Sequence, residues 1–119
     1  MSAEILNVSR GVLTLKVSGK LTQAELTTAQ KAAGEILGKQ GKMRILVLAE
    51  NFAGWERGGW GDFSFQTEHD GSIERMAIVG ERKWEDLALM FTAKGLRKFP
   101  IEYFDTASLS DARAWLTEE

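Results

Sequence analysis

The 119-residue chain contains no cysteine. Disulfides, thiolate nucleophiles and cysteine-ligated metals are excluded, and the composition fits a reducing compartment. There is one proline, Pro100, and one histidine, His69. A lone histidine beside Glu68, Asp70 and Glu74 does not have the spacing of a metal site. It reads more simply as an exposed residue where a helix gives way to a loop than as a pH switch or general base. No apolar run approaches the ~18 residues of a membrane-spanning helix. Met1-Ser-Ala-Glu4 lacks the basic start of a secretory signal, so a cytoplasmic location is expected. The net charge of −2 exerts no general pull toward nucleic acid, and no nucleic-acid partner is expected. Neither Ser64, Ser72, Ser108 nor Ser110 sits in a G-x-S-x-G elbow. No Walker loop or dinucleotide fingerprint is present. The chain therefore reads as non-enzymatic, with no cofactor.

What remains is ordinary for one globular domain over residues 1–119: 44% apolar and 27% charged residues. A chain of this size buries roughly two-thirds of its unfolded surface, enough for its own core. Two periodicities alternate along it. Glu4–Val8 and Gly11–Ser18 read as strands, and the short Ser9-Arg10 break joins them as an antiparallel hairpin. Thr22 and Glu25 make a capping box, with Leu21 and Leu26 as its hydrophobic staple. Leu26, Ala29, Ala33, Ile36 and Leu37 give the helix that follows an apolar stripe, and Gly38 and Gly41 end it. Met43–Ala49 is almost continuously apolar, as in a strand buried on both faces. A helical segment is predicted by about Trp60. Ile73–Val79 is the next strand. Lys83–Thr92 reads as a helix with Trp84, Leu87, Ala88 and Phe91 on one face. Phe99–Phe104 is the last strand, with Pro100 marking an edge or a strand start. Ser108 with Asp111 predicts the cap of a final helix burying Leu109, Ala112, Trp115 and Leu116. The order β-β-α-β-α-β-α-β-α predicts a single α/β domain with a mixed, mostly parallel five-stranded sheet flanked by helices.

Three segments attract functional attention. The first runs from Phe52 to Phe65 and holds Phe52, Trp55, Trp60, Phe63 and Phe65. It follows the carboxyl end of the third strand, where open α/β sheets bind ligands. Gly54, Gly58, Gly59 and Gly61 predict a mobile loop or a loosely wound helix start. The segment is either core filling or a hinged lid over an apolar pocket. The second runs from Leu89-Met90-Phe91 to Lys94, Arg97 and Lys98. Apolar bulk beside basic heads suits a membrane interface or an anionic amphiphile. The plainer reading is a frayed helix end with snorkelling lysines and a dimer contact. The third is the turn Gly80-Glu81-Arg82-Lys83-Trp84, whose backbone N–H groups and two basic side chains offer an anion site.

Several motifs together carry a resemblance. They are G-K-L-T-x-x-E at Gly19–Glu25, K-x-R-I-L-V at Lys42–Val47, and F-x-G-W at Phe52–Trp55. I-E-R-M-A-I-V-G-E-R-K-W at Ile73–Trp84 and A-x-A-W-L at Ala112–Leu116 complete the set. In this order and spacing the chain resembles the SpoIIAA-like family of small bacterial proteins, related in fold to STAS domains. The resemblance implies a regulatory or anchoring module without catalysis. In anti-sigma-factor antagonists of the STAS class, a serine or threonine after the third strand is phosphorylated. The corresponding stretch here, Leu48 to Trp55, has no hydroxyl. A fold-level likeness to CRAL-TRIO lipid carriers implies a greasy ligand between sheet and helices.

The resulting expectation is a module that binds a small apolar or lipid-like ligand, with peripheral membrane contact. Phe52, Trp55, Trp60, Phe63, Trp84, Met90 and Phe91 are the candidate ligand contacts. Arg82, Lys83, Lys94, Arg97 and Lys98 are the candidate headgroup contacts. The alternative is a protein-interaction module, in its simplest form a homodimer.

Overall fold

The computed structural model describes residues 3–55, 73–91 and 99–117. Its elements are β1 (Ala3–Ser9), β2 (Val12–Leu21), α1 (Gln23–Gln40), β3 (Met43–Trp55), β4 (Ile73–Val79), α2 (Glu85–Phe91), β5 (Ile101–Phe104) and α3 (Leu109–Thr117). Short 3-10 turns precede α2 (Arg82–Trp84) and α3 (Thr106–Ser108). The helix expected near Trp60 lies outside the described residues.

The sheet is mixed and mostly parallel, as the alternation of elements predicts. Its strand order is β1-β2-β3-β4-β5. β1 and β2 are antiparallel, and the other three pairings are parallel. The hairpin turn is the two residues Arg10 and Gly11, with Ser9 opposite Val12. Both have positive φ, 52° and 77°, the combination that matches the twist of a tight hairpin.

Successive parallel strands always advance in the same direction across the sheet. Right-handed crossovers then place the connecting helices on one face. α1 and α2 share that face: Ala33 and Leu37 of α1 and Ala88 and Leu89 of α2 pack with Leu13, Ile45 and Ile78. α3 follows the last strand and is free to take the other face. Its Ala112 and Leu116 pack on Leu46, Ala77 and Val79.

Local signals set the helix ends. Thr22 Oγ1 accepts a hydrogen bond from Glu25 N at 3.1 Å, and the staple pair Leu21 and Leu26 is buried in one cluster. α1 continues through Gly38 and stops at Gly41, whose φ of 82° marks the end of the helix. The cap at the last helix differs from the sequence expectation. Asp105, not Ser108, is the capping residue. Its Oδ1 accepts from Ala107 N at 2.9 Å and from the Ser108 hydroxyl at 3.1 Å. An extra 3-10 turn moves the start three residues upstream of the expected cap.

The orientation of α2 also differs. Leu87 was expected to face inward but is 48% exposed. Trp84, Ala88 and Leu89 are the inward-facing positions. The 3-10 turn at Arg82–Trp84 changes the phase between Trp84 and the helix, so a uniform helical wheel misplaces Leu87.

Candidate functional site

The site begins with the length of β3. The strand does not stop at Ala49 but continues to Trp55, so Phe52 and Trp55 belong to the sheet and not to a loop. Pairing with β2 slips twice along this extension. Glu50 is opposite Ser18, Phe52 opposite Gly19, and Gly54 opposite Lys20. Asn51 and Ala53 are therefore extra residues, as in β-bulges. Asn51 has φ 51° and Gly54 φ 105°, backbone conformations that asparagine and glycine tolerate.

Each bulge shifts the alternation of side chains by one. Ile45, Val47 and Ala49 face α1 and α2, and without a bulge residue 51 would be next. The first bulge puts Phe52 on that face, and the second puts Trp55 there. Both pack with Leu26, Ala29 and Ala49.

Trp84 completes an aromatic triad from the turn after β4. Its ring centroid lies 5.2 Å from that of Phe52 and 6.1 Å from that of Trp55, and Phe52 and Trp55 are 5.0 Å apart. All three pairs are edge-to-face, each contributing roughly 0.5–1.5 kcal/mol beyond area burial. Trp84 Nε1 donates to the Phe52 carbonyl at 3.1 Å. Gly54 gives this ring room: a Cβ there would lie 3.2 Å from Trp84 Cη2.

Beneath the triad is a crevice of about 140 Å³ between the sheet and the two helices. β2 contributes Leu13, Leu15 and Val17, and β3 contributes Ile45, Val47 and Ala49. The helices contribute Ala29, Gln30 and Ala33 from α1 and Ala88 from α2. Four alanines thus stand around the space. Longer apolar side chains at these positions would fill it, so the crevice arises from small residues on facing elements.

Tyr103 forms part of the wall near the end of β5. Its hydroxyl donates to the Glu81 carbonyl at 2.8 Å. Burial raises its pKa above the ordinary tyrosine value, with the Glu85 charge adding to the effect. Gly80 lets the ring come close, since a Cβ at Gly80 would lie 2.6 Å from the phenolic oxygen.

The expected contacts separate into three groups. Phe52, Trp55 and Trp84 come together on the crevice. Met90 is on α2 but 76% exposed, and is absent from the described wall. Trp60, Phe63, Lys94, Arg97, Lys98, His69 and the side chain of Phe91 lie outside the described residues. Arg82 and Lys83 are on the exposed turn before Trp84 and do not line the crevice. Arg82 is bound to Glu85 at 2.7 Å and lies 3.8 Å from Asp105. The hydrogen bond to Glu85 is the main reason its pKa is raised. Lys83 lies 3.7 Å from Glu81 and sits over the Trp84 ring at 5.5 Å.

Sequence reading missed the alanine-lined floor and Tyr103. Ala29 and Ala33 were visible only as members of a buried stripe. Asn51 and Gly54, which flank Phe52 and precede Trp55, were the available signal for the bulges.

Among the described residues, no three histidine or acidic side chains are grouped to hold a metal ion. No described helix is long and apolar enough to cross a membrane.

The five-stranded mixed sheet, the helices on its two faces and the crevice between the sheet and α1 and α2 define a small α/β module. Residues 12–117 match the SpoIIAA-like family, and the chain belongs to it. It is also similar in fold to the crystal structure of an uncharacterized protein with a SpoIIAA-like fold from Shewanella loihica PV-4. The TM-score is 0.76 at 21% identity, covering 97% of this chain and 94% of the other. No curated protein matches the chain.

Proposed function

We propose that this SpoIIAA-like chain is a non-catalytic binding module that holds a small apolar or amphipathic ligand between its sheet and the helices α1 and α2. The reading rests on the apolar crevice of about 140 Å³ beneath the Phe52–Trp55–Trp84 triad. The crevice is partly open to solvent and its described lining is almost wholly apolar, a setting that suits an apolar group. Peripheral attachment to a membrane would bring such a ligand to the site. Titration of the intact chain with fatty alcohols, alongside fatty acids and anionic vesicles, followed by tryptophan fluorescence, tests the proposal. Saturable change is expected, because two tryptophans line the crevice. A flat response to every addition would contradict it.

A second reading is a protein-interaction module, and exposure on α2 favours it. Leu87 and Met90 are 48% and 76% exposed, three residues apart on one side of the helix. A homodimer through this face is its simplest form. Light scattering at high micromolar concentration should report a dimer that the Leu87→Asp, Met90→Asp double variant loses while keeping its fold. A monomeric wild type would remove the homodimer version.

A further inference from the structure

We infer that the crevice selects for a neutral ligand and excludes the ionised carboxylate of the same size. The inference rests on the ligand-binding reading and narrows its ligand class.

The described wall contains no charged side chain. Its polar side-chain groups are the Gln30 amide, the Tyr103 hydroxyl, the buried indole N–H of Trp55 and the indole N–H of Trp84. All are neutral, and two of the donors are committed to backbone carbonyls. Trp84 Nε1 gives its hydrogen to the Phe52 carbonyl at 3.1 Å. Tyr103 gives its hydroxyl hydrogen to the Glu81 carbonyl at 2.8 Å. Neither can donate to a bound anion without abandoning a backbone acceptor. The Gln30 amide is the neutral polar group that α1 adds to the wall. Neutral donors of this kind, the Gln30 amide and the Trp55 indole, suit an alcohol or carbonyl but bring no positive charge to compensate a buried carboxylate.

The nearby cations do not change this. Arg82 and Lys83 are held by Glu85, Asp105 and Glu81 on the exposed turn. Redirecting Arg82 to a ligand would break its 2.7 Å bond to Glu85. The size of the crevice is informative as well. A dry apolar cavity of roughly 150 Å³ in another protein admits benzene. A space of about 140 Å³ accordingly suits a neutral apolar group of about six carbons.

The test compares 1-hexanol with hexanoate, by calorimetry and NMR on the intact chain at pH 7. Hexanol is expected to bind at least about a hundred-fold more tightly than hexanoate, because the desolvated anion meets no cationic partner. Amide shifts at Ala88 and Ile78 should accompany hexanol binding. Ala88→Leu should weaken it about ten-fold or more by occupying the space. Equal affinity for the two ligands would overturn charge exclusion and leave the binding reading standing. Binding of neither would overturn both. Hexanol binding without shifts at Ala88 and Ile78 would place it elsewhere and overturn the assignment.

Discussion

The two faces of one sheet are packed in opposite ways. Under α3, Leu46, Ala77 and Ala112 are completely buried, and Leu116 nearly so. Alanine against alanine lets this helix lie close to the sheet, and leucines fill the flanks. Arg44 donates to the Leu116 carbonyl and Arg75 to the Trp115 carbonyl, meeting the unsatisfied end of the helix. Arg75 also lies over the Trp115 ring at 5.2 Å. Under α1 and α2, alanines on three elements leave a space that the aromatic triad overhangs. Small residues close one interface and open the other. What differs is the partner: α3 packs on one face, while on the crevice face the alanines are spread over α1, α2 and β3.

Six substitutions, grouped in four tests, sharpen the contrast, ordered by the largest effect expected in each test. Leu46→Ala on the closed face should cost about 3 kcal/mol in urea unfolding, since it leaves a cavity in a packed layer. Val47→Ala, its neighbour facing the crevice, should cost about 1 kcal/mol. Similar losses at both positions would break the comparison.

Enlargement gives the reverse test. Ala112→Leu should destabilise by about 2 kcal/mol through overpacking. Ala29→Leu should stay within about 1 kcal/mol of wild type, because the added atoms have room. The same denaturant midpoints report both.

Arg75→Ala should lower stability by about 1–2 kcal/mol, through the lost carbonyl bond and the lost contact with Trp115. Thermal unfolding would register this as a lower midpoint.

Tyr103→Phe should cost about 1 kcal/mol at neutral pH for one hydrogen bond, and it has a distinct alkaline signature. The folded state holds the phenolic proton above the ordinary value, while the unfolded chain releases it near pH ~10. The stability owed to the neutral phenol is complete below that pH and is lost as pH rises toward the raised folded value. Wild type should therefore lose stability more steeply above pH ~10 than Tyr103→Phe. Parallel curves would show that burial of this phenol has no energetic weight.

Most of the framework was legible in the sequence because it rests on local signals. Thr22, Glu25, Leu21 and Leu26 announce α1 without help from the rest of the chain. The apolar run from Met43 announces a central strand. The errors arose where geometry departs from regular periods. Asn51 and Gly54 sit in a stretch that reads as loop, yet they are the residues that let β3 continue with two bulges. Leu87 was misplaced because a 3-10 turn precedes its helix. The crevice itself was not legible. An alanine in a stripe looks the same whether its partner comes close or stands back, and only the arrangement of three elements decides which.

The most direct test of the account is the unfolding midpoint of wild type and of Ala29→Leu, each with and without 1-hexanol. A low, non-denaturing concentration of hexanol should raise the wild-type midpoint and leave that of the filled variant unchanged. Equal shifts in the two proteins would contradict it.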